Sequence, residues 1–170
     1  MTDGQKSCCG GKSGCGRKSK KTLNIRVTKD TPMSKTDELE VTEGNAGVDL
    51  RSSIDWELVP GETKLITTSY KIIIPEGHVG MICSRSGLAM KNGVFVLNAP
   101  GIIDPSYRGN VGVILHNASQ RQFTIHKNDR IAQILFMEYE TPNFLTDGGE
   151  DFDSDSTERG SNGFGSSGVK

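Results

Sequence analysis

Between residues 22 and 140 the apolar side chains come in short runs, separated by turns rich in Gly, Pro, Asn and Asp. Leu23, Ile25 and Val27 alternate with Asn24 and Arg26, which puts the three apolar side chains on one face of a strand. Residues 64–74 are β-branched and threonine-rich and end at a turn, Pro75-Glu76-Gly77. Residues 79–83, 94–97, 111–115, 122–125 and 131–137 read as further strands. Val59-Pro60-Gly61, Lys91-Asn92-Gly93, Ala99-Pro100-Gly101 and Lys127-Asn128-Asp129 punctuate them at the spacing of sandwiches and barrels. Residues 87–89 offer one helical turn, and no long amphipathic helix is legible. The expected fold is all-β. Its sheet edges need covering, and oligomerisation is one way to do so.

The ends have a different character. Residues 1–21 are rich in Gly, Ser, Lys and Cys without periodicity, a linker composition expected to be disordered. Residues 141–170 return to Gly, Ser and Asp, and a flexible C-terminal arm is expected there. With 34% hydrophobic residues and 21 glycines among 170 residues, the chain holds one modest core, residues 22–140, between two such ends. A net charge of −1 gives no global field for nucleic acid or a membrane surface, so neither partner is expected. No apolar run approaches the roughly 20 residues needed to cross a bilayer, and no apolar stretch follows Met1 as in a secretory signal. An intracellular protein, cytoplasmic or nuclear, is the expectation. Cys8, Cys9 and Cys15 lie in the first segment and only Cys83 in a periodic one, so no disulfide framework serves the core. For the tail cysteines no histidine and no second CxxC completes a metal site; palmitoylation beside lysines and plain disorder stay open.

Five segments carry side chains with chemistry. Residues 98–109 project an amide (Asn98), a carboxylate (Asp104) and an aromatic (Tyr107) from what reads as a tight hairpin. The backbone of a rigid hairpin can imitate a Watson–Crick partner, although Asp104 and Arg108 also fit as ordinary turn residues. In Ser84-Arg85-Ser86-Gly87, the Arg, the following Ser and the Gly offer backbone N–H groups, a hydroxyl and a fixed charge, which suit a phosphate; a helix N-cap with a surface arginine is the alternative. Residues 159–168 look like a phosphate-cradling glycine loop without the P-loop lysine. Either they close over a nucleotide, with Phe164 stacking and Arg159 on phosphate oxygens, or they are an inert solvated tail. Asp49 and Gln133 each set a polar group into an apolar segment, which a structural hydrogen bond also explains.

Taken in order, AGVDL, RSGLA, NAPGIIDPSYRG, RIAQI and RGSNGFGSSG resemble the five-motif signature of the trimeric dUTPase family, from Ala46 to Gly168. The resemblance implies a β-barrel or jelly-roll-like protomer and a homotrimer with shared active sites. One subunit would give the first, second and fourth motifs, another the third, and the remaining one the closing tail. The implied reaction is Mg2+-assisted hydrolysis of dUTP to dUMP and pyrophosphate, which keeps uracil out of DNA and supplies dUMP for thymidylate synthesis. By matching positions, Asp104 would be the general base for water attack on the α-phosphorus. Asn98 and the backbone of residues 101–104, with Gly101 and Ile103, would read uracil and leave no room for thymine's methyl. Tyr107 would pack beneath deoxyribose. Arg85, Ser86 and Gly87 would hold the phosphates, and Gln133 would position them or the water. Asp49 would contact magnesium through coordinated water. Arg159 would pair with the terminal phosphate and Phe164 would stack on uracil, with Gly165 and Ser166 also at the nucleotide.

Departures from the pattern are small: Ser84 stands where proline is more usual and Ser167 where threonine is common. Two alternatives share the pattern in part. A dCTP deaminase or a bifunctional deaminase/dUTPase would need a glutamate beside the third motif, which is missing, and would lack a matching fifth motif. A catalytically dead dUTPase-like binding protein would have no use for Asp104, Tyr107 and Arg159.

Overall fold

The computed structural model describes residues 22–29 and 39–146. The expected N-terminal tail (1–21), residues 147–170 of the expected arm, and with them Arg159, Phe164, Gly165 and Ser166, lie outside the described residues. The described part holds eleven strands and one helix: β1 (Arg26–Lys29), β2 (Val48–Arg51), β3 (Trp56–Leu58), β4 (Thr63–Thr67), β5 (Tyr70–Ile73), β6 (His78–Cys83), α1 (Ser86–Asn92), β7 (Val94–Val96), β8 (Gly101–Ile103), β9 (Gly112–Asn117), β10 (Phe123–Ile125) and β11 (Arg130–Glu138). The expected all-β architecture is observed, with no helix among the described residues long and apolar enough to cross a membrane.

All strand pairs are antiparallel. β2, β11, β6 and β8 form a four-stranded sheet in that order, β4, β9 and β7 a three-stranded one, and β1–β5 and β3–β10 two ribbons. Burial alternates strictly along β2 and β9, as in strands with one face on the core. Inward positions from all four sheets meet in one core: Leu50 and Ile134, Ile66 and Leu115, Ile72, and Leu58 with Ile125 are all at most 1% exposed. Each such side chain contributes about 1.5–3 kcal/mol when fully buried. That core is what holds the outward-facing side chains of β2, β11 and β6 in fixed register.

Residues 64–74 are not one strand. β4 ends at Thr67, and β5, which starts at Tyr70, belongs to a different sheet. Between them the buried Thr68 donates both its hydroxyl (2.7 Å) and its N–H (3.2 Å) to the Val111 carbonyl, and Ser69 takes a left-handed φ of 60°. Residues 98–109 are not a tight hairpin either. β7 and β9 do pair, but the chain between them contains β8, which crosses to the other sheet and pairs with β6 (Gly80↔Ile103, Ile82↔Gly101). The helical turn is longer than expected: α1 runs seven residues and ends at Gly93, whose φ of 67° lets its N–H bond back to Leu88 and Ala89 carbonyls.

Candidate active site

The four-stranded sheet lines up Asp49, Gln133 and Cys83 as direct neighbours on β2, β11 and β6. Facing residues across an antiparallel ladder share a side of the sheet, so all three point into the same cleft. That cleft, about 720 Å³, is also lined by Gly47, Arg85, Ser86, Gly87 and Arg130. The first, second and fourth segments singled out in the sequence therefore converge on one place. β6 delivers Arg85 there, because the strand ends at Cys83 and Arg85 is the extended N-cap of α1 (φ −88°, ψ 122°).

The Arg85 side chain is only 28% exposed and is far from a loose surface arginine. Its Nε lies 3.1 Å from Asp49 Oδ1, and its Nη1 donates to the Arg130 carbonyl at 2.8 Å. Arg130 Nη1 in turn lies 3.3 Å from Asp49 Oδ2. Such half-exposed pairs add little to stability, of the order of 0–1 kcal/mol each; their effect is geometric. Gln133 is fixed independently: Nε2 donates to the Ser84 carbonyl at 2.9 Å. Gly47 makes room for it, since a Cβ there would overlap Gln133 Oε1. Ser86 and Gly87 sit exposed in the first turn of α1, open to the cleft.

The third segment builds a second, smaller pocket of about 220 Å³, lined by Asn98, Gly101, Ile102, Ile103 and Tyr107 with Leu65 from β4. Gly101 is buried in β8, and a Cβ on it would come within 3.2 Å of Asn98 Nδ2. Glycine is thus what allows the Asn98 amide to lie against this strand. Tyr107 packs over Gly109, where any Cβ would meet its ring, and its hydroxyl donates to the Asn110 carbonyl at 2.8 Å. The phenol is anchored while the ring remains 41% exposed at the pocket.

Asp104 opens the turn that the Tyr107 N–H closes on its carbonyl at 3.1 Å. Its carboxylate is exposed and lines a third cleft with Glu76, Gly77, Pro105, Ser106 and Arg108, apart from the Asp49 cleft. Arg108 is a turn residue, donating to the Pro105 and Tyr107 carbonyls. One chain therefore brings Asp49, Arg85, Ser86, Gly87 and Gln133 together, brings Asn98, Gly101, Ile103 and Tyr107 together, and keeps Asp104 beside neither Asp49 nor Arg85. The contacts of two residues escaped the sequence reading. Ser84 accepts Val96 N–H on its Oγ (2.9 Å) besides Gln133 on its carbonyl, and Arg130 reaches Asp49. A charge three residues from Gln133 was the only available sign of the second.

Comparison with known proteins bears on what these clefts do. The dUTPase family model matches residues 35–168. The deoxyuridine 5'-triphosphate nucleotidohydrolase of Orientia tsutsugamushi (strain Boryong) is 46% identical over 132 residues, spanning 76% of this chain and 86% of its own length. That of Mycolicibacterium gilvum (strain PYR-GCK) is 42% identical over 147 residues, spanning 85% and 92%. Among solved structures, a dUTPase variant of Staphylococcus bacteriophage 80alpha with dUpNHpp aligns at a TM-score of 0.74 and 29% identity, covering 87% of this chain and 100% of that one.

Proposed function

The chain belongs to the dUTPase family, and from that membership we infer that it hydrolyses dUTP to dUMP and pyrophosphate through the residues gathered at these clefts. The observation that carries the reading is the meeting of Asp49, Arg85 and Gln133, distant in sequence, on one wide cleft with the exposed Ser86 and Gly87. Arg85, Ser86 and Gly87 present the fixed charge, hydroxyl and N–H groups that phosphate oxygens accept from. Asn98 and the β8 backbone would read uracil, and the anchored Tyr107 ring would support deoxyribose. Asp104 would take a proton from water. That water attacks the α-phosphorus, the bond to the bridging oxygen breaks, and pyrophosphate leaves. Positioning and electrostatics supply most of such catalysis.

Mg2+ fits this donor set. No group of three or more His, Cys, Asp or Glu gathers among the described residues, so they offer no all-protein cage. A lone carboxylate beside phosphate-binding groups in a wide cleft suits an ion that keeps waters and takes phosphate oxygens as ligands. Asp49 would hold it through water, and the ion would neutralise charge on the departing pyrophosphate.

A homotrimer with shared sites accounts for Asp104 lying in a different cleft from Asp49 within one chain. Leu65, Leu97 and Ile102, at 57%, 51% and 55% exposure, supply apolar surface for such an interface. The fifth motif, with Arg159 on the terminal phosphate and Phe164 on uracil, would close the site from the C-terminal arm. Gly165 and Ser166 would add contacts to the nucleotide.

A panel of dUTP, dTTP, dCTP and UTP, with and without Mg2+, tests the whole reading. Pyrophosphate released from dUTP alone, and only with the metal, is expected. Deamination of dCTP, or no product from dUTP, would contradict it.

A further inference from the structure

We propose that Arg130 is a positioning residue for phosphate binding: it holds the Asp49 carboxylate with its side chain and the Arg85 guanidinium with its backbone carbonyl. The proposal rests on the reading of this cleft as the triphosphate site.

Gln133 pairs with Asp49 and Ala132 with Leu50, but Arg130 pairs with Arg51, so two steps along β11 match one along β2. Ile131 is the extra residue of a β-bulge. In an unbroken ladder Arg130, three residues from Gln133, would lie on the opposite side of the sheet, towards the core. The bulge reverses this. Ile131 and Ala132 are both buried in succession, at 2% and 0% exposure, and Arg130 comes out on the side of Asp49 and Gln133. A bulge interrupts ladder pairing, and such interruptions recur beside active sites, where they re-aim a side chain.

The result is a closed set of contacts. The two Asp49 oxygens are divided between Arg85 Nε (3.1 Å) and Arg130 Nη1 (3.3 Å), and Arg85 Nη1 is tied to the Arg130 carbonyl (2.8 Å). Arg85 is held at two of its nitrogens by groups of the cleft wall, leaving its remaining N–H groups for an incoming phosphate. Without the Arg130 side chain, the Asp49 carboxylate is free to rotate and to take Arg85 in a two-point pair. Arg85 would then have to be pulled from that pair before it could meet phosphate.

The test compares Arg130→Gln and Arg130→Lys in the full chain. Affinity for a non-hydrolysable α,β-imido analogue of dUTP is measured by calorimetry with chelator present, alongside kcat and KM for dUTP with Mg2+ and the melting temperature. Arg130→Gln is expected to bind the analogue about tenfold more weakly and to raise KM by a similar factor, with kcat within about threefold of the unaltered protein. Arg130→Lys, which restores a cation at Asp49, is expected to recover most of the loss, and both variants should melt like the unaltered chain. Unchanged analogue affinity in Arg130→Gln would overturn the proposal. So would equal losses in both variants together with a lowered melting temperature, which would make Arg130 a merely structural residue. Failure of the unaltered chain to hydrolyse dUTP would refute the functional reading on its own, while the metal-free binding arm still decides the part played by Arg130. An unaltered chain that does not bind the analogue overturns both.

Discussion

Gly47→Ala sets a small gain in the unfolded chain against a collision at the site. Gly47 does not occupy the left-handed region, so alanine fits its backbone, and reduced freedom of the unfolded chain stabilises by about 0.4–1 kcal/mol. Against this, the new Cβ overlaps Gln133 Oε1 and stands 3.2 Å from Gln133 Cδ. The crowded atoms are the far end of a flexible side chain, so the carboxamide swings away and β2 stays in place. Gln133 then gives up its 2.9 Å bond to the Ser84 carbonyl, a loss of about 0.5–1.5 kcal/mol. The two terms nearly cancel. Stability should change by under about 1 kcal/mol, which moves the melting temperature by only about 4 °C in a domain of this size. Activity has no such offset on the role proposed for Gln133 at the phosphates or the water, because its carboxamide is displaced. Losing one hydrogen bond worth about 1.4 kcal/mol in the transition state lowers kcat/KM about tenfold. Differential scanning calorimetry and a pyrophosphate-release assay on the same preparation separate the two effects. A variant with kcat/KM within twofold of the unaltered protein would refute the placement of Gln133. A fall in melting temperature beyond about 10 °C would show that β2, and not the side-chain end, gives way.

Ser84→Ala removes the acceptor of the Val96 N–H and should lower stability by about 1–2 kcal/mol in urea unfolding, whereas Ser84→Thr should keep most of it; equal losses in both would show that the hydroxyl is not the cause. Tyr107→Phe loses the bond to the Asn110 carbonyl, about 1 kcal/mol of stability. It should still discriminate dUTP from UTP, since the proposed support for the sugar is the ring and not the hydroxyl; hydrolysis of UTP by this variant would contradict that role. Truncation before Arg159 should leave a folded protein with greatly reduced turnover, and unchanged kinetics would dispose of the closing arm.

β9 and β11 were legible as short apolar runs set off by turn residues. Where strands change partners, local pattern is silent. Nothing in Thr67, Thr68, Ser69 and Tyr70 marks a break, which is made by long-range bonds such as those of the buried Thr68 to Val111, 43 residues away. β8 was hidden among turn residues for the same reason: Gly101–Ile103 is a strand because β6 lies beside it. At the site, the residue types were readable from the residues themselves, whereas their grouping came only from the family resemblance, which put the first, second and fourth motifs on one subunit. The motif order named Asp49, Arg85 and Gln133, but the β2–β11–β6 register is what makes two of them neighbours. Arg130 lay just outside the run read as a strand, residues 131–137, and the bulge that turns it towards Asp49 cannot be seen in a single sequence.

The central claim is that the exposed Asp104 carboxylate is the base, and Asp104→Asn tests it with almost no change in shape. The measurement is single-turnover hydrolysis of dUTP with Mg2+, paired with the affinity for the imido analogue. Loss of a general base removes about 10²–10⁴-fold in rate, so turnover should fall by at least about a hundredfold while analogue affinity stays within a few-fold. Hydrolysis by the asparagine variant at a rate near that of the unaltered chain would place the base elsewhere.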